Sequence, residues 1–215
     1  MRLIKPYYTI LKIPSNIDIL EHIGRTCYKS EDKIGVGTAE KFVKMIFNRG
    51  HWSVLEHLSA TVRFICDRGV SHELVRHRIA SYSQESTRYC NYKGGVTFII
   101  PPWVDLETGD YPQILEHAKP KSKDGIWFNS MKIAEVFYSS LIEKGWSPQQ
   151  ARSVLPNSLK TEIVVTANLR EWMHIFEQRT SKAAHPQMRE LMVPLLADFR
   201  ESIPVIFNEI GDDAS

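Results

Sequence analysis

Apolar residues recur along this chain at two spacings, and each spacing predicts its own kind of element. Phe42, Val43, Ile46 and Phe47 share one side of a stretch from Ala39 to Asn48, which Thr38 precedes and Gly50 follows. That is the pattern of a capped amphipathic helix, and it places His51 just past a helix terminus. From Leu58 to Cys66 the chain is partly alternating, which predicts a strand. Asp67-Arg68-Gly69 then leads into a short helix from about Ser71 to Arg78. Gly95 to Ile100 predicts a second strand, stopped by Pro101-Pro102, and the polar stretch from Trp103 to Lys123 predicts an exposed excursion. Met131, Ala134, Phe137 and Leu141 stand at helical spacing between Ile126 and Lys144, ahead of Gly145, and Ser147-Pro148 opens a further short helix. Thr161 to Ala167 is β-branched and apolar, hence a buried strand. Asn168 to Arg179 predicts a helix with Trp172, Ile175 and Phe176 inward, and a last helix begins at Pro186, with Pro194 and Pro204 as points of kinking. Strands interleaved with helices at irregular spacing predict an α+β fold rather than a doubly wound sheet.

Composition narrows the class. The 215 residues can bury a full core, and with 43% apolar and 24% charged residues they read as one soluble globular domain covering residues 1–215. No repeat, low-complexity tract or long Pro/Gly/Ser linker divides it. A formal net charge of +2 gives no general pull toward nucleic acid or anionic membrane, so any basic site must be local. Cys27, Cys66 and Cys90 are odd in number and widely spaced, which predicts reduced thiols and a cytoplasmic location. The start of the chain lacks the apolar run of a signal peptide, and nowhere do eighteen apolar residues follow one another, so neither export nor a membrane span is expected.

The local basic site is evident. Arg76-His77-Arg78-Ile79-Ala80-Ser81-Tyr82-Ser83-Gln84-Glu85-Ser86-Thr87-Arg88 crowds cations, hydroxyls and an amide around a single carboxylate. Guanidinium forks bind phosphate bidentately, and Ser and Gln supply neutral donors and acceptors for the rest of a polar ligand. Two other signals fail. The histidines of His72-Glu73-Leu74-Val75-Arg76-His77 are five apart instead of four, so a helix turns them away from each other and no zinc protease or other metal site is expected. Gly35-Val36-Gly37 begins like a dinucleotide fingerprint, but Glu40 stands where the third glycine belongs.

The cluster resembles the signature of flavin-dependent thymidylate synthases: Arg-His-Arg, seven residues, Ser, one residue, Arg. Here these are Arg76-His77-Arg78, residues 79 to 85, then Ser86, Thr87 and Arg88. Other stations of that family follow in order: His51 with Ser53 and Glu56-His57, then Ala151-Arg152-Ser153-Val154-Leu155-Pro156, then Asn168-Leu169-Arg170, His174 and Arg179. The resemblance implies an α+β domain with a central antiparallel sheet flanked by helices, and a cytoplasmic homotetramer with shared active sites. It implies methylation of dUMP to dTMP, with 5,10-methylenetetrahydrofolate as carbon donor, FAD as redox carrier, NADPH as reductant and tetrahydrofolate released. By the same resemblance, dUMP is bound by Glu73, Leu74, Val75, Arg76, Gln84, Glu85, Ser86, Thr87, Arg88 and Arg152. FAD is lined by Ser53, Arg76, His77, Arg78, Ile79, Gln84, Asn168, Leu169, Arg170 and His174. Arg179 lies against the uracil ring and favours its electron-rich form, His51 sits by the flavin and folate rings, and Ser86 positions and polarises dUMP. Three places depart from the family pattern: Glu73 replaces a common neutral amide, Glu85 takes an often apolar place, and Thr180 to Ala184 ahead of His185 differs in length.

Two other classes stay open on the residues alone. A nucleic-acid module could use the arginine loop with Tyr82, Tyr89 and Tyr92 as stacking surfaces, although the near-neutral total charge weighs against it. A flavin-free pyrimidine nucleotide phosphohydrolase would need a carboxylate cluster at magnesium-ligand spacing, and the sequence has none evident.

Overall fold

Asp67 shows how local chemistry sets an element. Its Oδ1 accepts the Val70 N–H at 2.7 Å, so helix α3 (Arg68–Leu74) starts directly where strand β3 (Ser59–Asp67) stops. The computed structural model describes residues 1–112 and 122–211. In chain order the remaining elements are β1 (Arg2–Ile4), β2 (Tyr7–Lys12), α1 (Asp18–Tyr28), α2 (Ala39–Asn48), β4 (Ala80–Gln84), β5 (Thr97–Ile99) and β6 (Gly109–Asp110). Then come α4 (Lys123–Glu143), α5 (Pro148–Ala151), β7 (Lys160–Asn168), α6 (Leu169–Arg179), α7 (Pro186–Ser202) and α8 (Pro204–Phe207). The mixture is the expected α+β one. The chain forms two compact units.

The first unit comprises Met1–Tyr7, Phe64–Arg76 and Ser83–Ile163. Its three-stranded sheet has the order β5-β1-β6, with β1 parallel to β5 (Leu3 opposite Phe98) and antiparallel to β6 (Leu3 opposite Gly109). Leu3, Phe98, Ile100, Phe128, Met131 and Tyr138 belong to one buried cluster under α4. Glu135 is buried in this unit and accepts from Lys132 Nζ at 2.6 Å, the Met1 amine at 2.7 Å and the Val96 N–H at 3.0 Å. Burial opposes its ionisation, but these donors prevail and hold its carboxyl below the usual glutamate value.

The second unit comprises Tyr8–Arg63, His77–Tyr82 and Val164–Ser215. The strand order β2-β3-β7-β4 gives the second sheet. Leu169 N–H donates to Leu58 O at 2.9 Å and the Thr61 and Thr166 hydroxyls meet at 2.9 Å, so β3 and β7 run antiparallel. Trp172 and Phe176 of α6, Phe199 of α7 and Phe207 of α8 pack tilted or edge-to-face with ring centroids 5.1–5.8 Å apart, and Trp172 Nε1 donates to Ala60 O. Helices α1 and α2 approach closely because Gly24 has no side chain where the Phe42 ring lies.

Several boundaries differ from those expected. The helix expected over Ser71–Arg78 begins at Arg68 because of the Asp67 cap and ends at Leu74, so Arg76 to Arg78 lie beyond it. Residues 80–84, for which the pattern predicted no regular element, are strand β4. Pro194 stays inside α7, whereas Ile203 (φ −139, ψ 66) leaves helical geometry and Pro204 opens α8. The excursion expected over 103–123 contains β6 in its described part, and residues 113–121 lie outside the described residues.

Candidate active site

In the first unit the end of the signature is built around a tight turn. Ser86 O accepts the N–H groups of Tyr89 and Cys90 at 3.1 and 3.0 Å, and Ser86 Oγ accepts that of Arg88 at 3.3 Å. The serine side chain thereby caps its own turn. Thr87 is buried and its hydroxyl accepts from Arg152 Nη1 at 3.1 Å. This bond brings Arg152, just after α5, onto the signature from 65 residues away. Arg76, Arg88 and Arg152 are all exposed, with the Arg88 guanidinium 5.5 Å from the Tyr89 ring centroid. Arg88 and Arg152, each with a hydroxyl beside it, are charged donors of the kind that a phosphate monoester requires.

Neighbouring residues hold that turn. Gln84 Nε2 donates to Ser71 Oγ at 2.9 Å and Thr161 Oγ1 at 3.2 Å. Glu85 accepts from the Tyr92 hydroxyl and from Lys160 Nζ, both at 2.7 Å, while its N–H donates to Glu162 O at 2.8 Å. The carboxylate in an often apolar place is thus occupied by a tyrosine and a lysine, and burial together with that bond pushes the Tyr92 hydroxyl's pKa well up. Leu74 is 1% exposed, so its side chain is a core side chain, whereas Val75 is exposed and Glu73 half-buried.

In the second unit a helix stop aims His51. Gly50 at φ 71 ends α2, its N–H donating to Phe47 O while His51 N–H donates to Ile46 O, both at 2.9 Å. This is a Schellman arrangement, which only a residue tolerant of positive φ completes without strain. The His51 ring stacks on Tyr28, and its Nδ1 lies 2.7 Å from the Tyr28 hydroxyl. Ser53 is exposed on the 3-10 turn Trp52–His57. Asn168 Oδ1 accepts the Glu171 N–H at 2.8 Å and so caps α6, and Leu169 is fully buried. Arg170 reaches Glu56 at 2.6 Å, and His174 Nε2 lies 3.1 Å from Gln178 Nε2. Arg78 and Ile79 are exposed.

His77 is the electrostatic centre of this unit. It is buried, and Arg179 Nε donates to its Nε2 at 2.9 Å. A guanidinium has no lone pair to offer, so Nε2 must be the acceptor and the imidazole is neutral with its proton on Nδ1. That proton faces Glu171 Oε1 at 3.7 Å, too long for a hydrogen bond, and a neutral ring makes no ion pair with it. Burial first, then the Arg179 cation and His174, lower the His77 pKa to about 4. Burial raises that of Glu171 despite His174. The Tyr82 hydroxyl donates to His77 O at 2.7 Å, and burial pushes its pKa up to about 12.

Tyr28, Gln178 and Glu171 carry parts of this geometry that the sequence did not single out. Glu171 stands three residues after a capping Asn168 and reads as an ordinary first-turn carboxylate, so only its burial beside His77 distinguishes it. Among the described residues no three His, Cys, Asp or Glu side chains group as metal ligands, and no helix is long and apolar enough to cross a membrane. Cys27, Cys66 and Cys90 are unpaired.

Comparison with known proteins places the chain in a family. Residues 10–205 match the family model described as thymidylate synthase complementing protein. A flavin-dependent thymidylate synthase of Geobacter sulfurreducens is 36% identical over 195 residues, covering 87% of this chain and 78% of that protein. One from Mycobacterium avium is 34% identical over 195 residues, with 88% and 77% covered. Among solved structures, a UMP/dUMP methylase from Streptomyces cacaoi bound with 5-Br dUMP superposes with a TM-score of 0.77 at 21% identity, covering 97% of this chain and 96% of that one, and so shares its fold. With a family model spanning most of the chain and relatives above one third identity at similar length, the chain belongs to the flavin-dependent thymidylate synthases.

Proposed function

We propose that this protein methylates dUMP to dTMP, with 5,10-methylenetetrahydrofolate giving the carbon. It acts in the cytoplasm as a homotetramer whose subunits each form one functional domain. The observation that carries the reading is the Arg152–Thr87 bond, which gathers a second guanidinium onto the Ser86–Arg88 turn. A dianionic phosphate is held by several fixed charged donors, and Arg88, Arg152, Ser86, Thr87 and Arg76 are residues of that kind. Since the Glu85 carboxylate and N–H are committed elsewhere, the nucleotide meets the carbonyl side of that segment.

The exposed residues assigned to FAD fit such a group, whereas the His77 and Leu169 side chains are buried. Arg78, Arg170 and His174 are exposed on the second unit, and the two arginines supply the positive charge that a pyrophosphate and a reduced ring require. When bound there, FAD would supply redox chemistry, carrying reducing equivalents from NADPH, and the folate would leave as tetrahydrofolate. Arg179 presents a permanent cation to the uracil ring and stabilises negative charge developing on it, with neutral His77 fixing its Nε. His51, oriented by Tyr28, offers an imidazole for stacking or proton transfer beside the flavin and folate rings. Ser86 orients dUMP and polarises it.

The test is the visible spectrum of the purified protein before and after anaerobic NADPH with dUMP, followed by product analysis with methylenetetrahydrofolate. Flavin bands that bleach, with dTMP and tetrahydrofolate formed in equal amounts, are the expected result. A colourless protein that takes up no FAD, or dihydrofolate as the stoichiometric product, would overturn the reading.

A further inference from the structure

A cleft of about 480 Å³ opens between α1 and α2 in the second unit, and its lining has an unusual charge pattern. Arg25, Lys33, Lys41 and Arg49 line it without a single carboxylate. Arg25 is neutralised from behind, since buried Glu21 binds its Nη2 at 2.6 Å and its Nε at 2.7 Å, and its guanidinium packs 4.8 Å from the Phe42 ring centroid. Lys33, Lys41 and Arg49 have no ion-pair partner among the described residues. Between these cations the walls are Tyr28, Phe42 and Met45. An apolar, aromatic-walled cleft with three uncompensated cations suits a ligand having an aryl body and several carboxylates. A fully inorganic anion would leave the aromatic walls unused, and a polyanion such as nucleic acid would need a longer basic track than this cleft offers.

Tyr28 joins this cleft to the candidate active site, because the residue that lines the cleft also holds His51 through its hydroxyl at 2.7 Å. We infer that the α1–α2 cleft is the subsite for the p-aminobenzoyl-glutamate tail of the folate. The aryl group lies on Tyr28 and Met45, and Lys33, Lys41 and Arg49 pair with the glutamyl carboxylates. The inference rests on the reading that the protein uses a folate near His51. Lys33, Lys41 and Arg49 are exposed, so added γ-linked glutamates meet them, and the cleft favours polyglutamylated folate over monoglutamate.

The test compares methylenetetrahydrofolate monoglutamate with its pentaglutamate on the FAD-loaded protein. It uses equilibrium titration and steady-state KM for wild type and for the triple variant Lys33→Gln/Lys41→Gln/Arg49→Gln. Three exposed charge pairs correspond to about tenfold tighter pentaglutamate binding in the wild type, falling toward parity in the variant and with added salt. Monoglutamate affinity falls less than pentaglutamate affinity, while FAD content and dUMP affinity stay within about twofold. A pentaglutamate preference that survives in the variant, or that is absent from a wild type active with monoglutamate, overturns the subsite and leaves the proposed function standing. A variant that keeps the pentaglutamate preference but loses discrimination between NADPH and NADH assigns the cations to a phosphate and likewise overturns it. A wild type that binds neither folate refutes the proposed function itself.

Discussion

Acidification should weaken this protein through His77, by an amount the structure fixes. In the unfolded chain this imidazole takes a proton near pH 6.5, whereas in the fold its pKa is lowered to about 4 by burial, by Arg179 and by His174. The unfolded state therefore binds the extra proton between those values. Stability from this residue is complete above pH 6.5 and is lost as pH falls toward 4. The gap of about 2.5 in pH, at 1.36 kcal/mol for each, amounts to about 3 kcal/mol, of which about 2 kcal/mol is lost by pH 5. Glu171 acts with the opposite sign, because burial raises its pKa and the fold takes up its proton earlier than the unfolded chain does. The decisive comparison is thus with His77→Gln, which stays neutral and whose Oε1 can still accept the Arg179 Nε–H. Urea midpoints would be taken at about pH 7.5 and about pH 5, at equal protein concentration and flavin content. The wild type should lose about 1 M more than the variant, given a denaturant slope of about 2 kcal/mol/M. Equal losses in the two proteins would show that His77 is not buried as a neutral ring and would remove the argument for its tautomer.

Other perturbations test the site and the packing. Arg152→Ala removes a charged donor from the proposed nucleotide site and should weaken dUMP binding by about 10- to 100-fold with FAD content unchanged, as read by fluorescence titration. Unaltered affinity would exclude Arg152 as a phosphate ligand. Arg179→Lys should lose turnover far more than FAD affinity, because an ammonium cannot present a planar fork to the ring while keeping its Nε bond to His77. Turnover within about twofold of wild type would sink that role. Gly24→Ala drives a methyl group into the Phe42 ring between α1 and α2 and should cost about 1–3 kcal/mol, seen as a lowered melting temperature.

The elements that could be read from sequence are those whose burial is written in their own periodicity. Helices α2, α4 and α6 and strands β3 and β7 carry apolar residues at the spacing their geometry demands, so their positions were legible to within a few residues. Strand β4 is different: Ala80-Ser81-Tyr82-Ser83-Gln84 alternates exposed and half-buried residues with no apolar run, and its strand character comes from its neighbours in the sheet. Strand β1 is three residues long and depends on Thr97–Ile99, distant in sequence. Helix α1 interrupts its apolar side with Gly24, a poor helix former whose value shows only against Phe42. The signature likewise revealed which residue types gather, but not that Glu85 is held by Tyr92 and Lys160 or that His77 is buried. Those facts depend on contacts between residues as much as 102 positions apart.

Gly50 touches no proposed ligand, yet the backbone turn it permits decides where the next side chain is displayed. In a selection for cells able to grow without added thymidine, random substitutions at this position would fail as often as those at His51 itself. A survey of tolerated variants would thus mark Gly50 as indispensable, and its role would be that of a hinge pin set at synthesis, chemically silent but fixing the direction in which the imidazole faces.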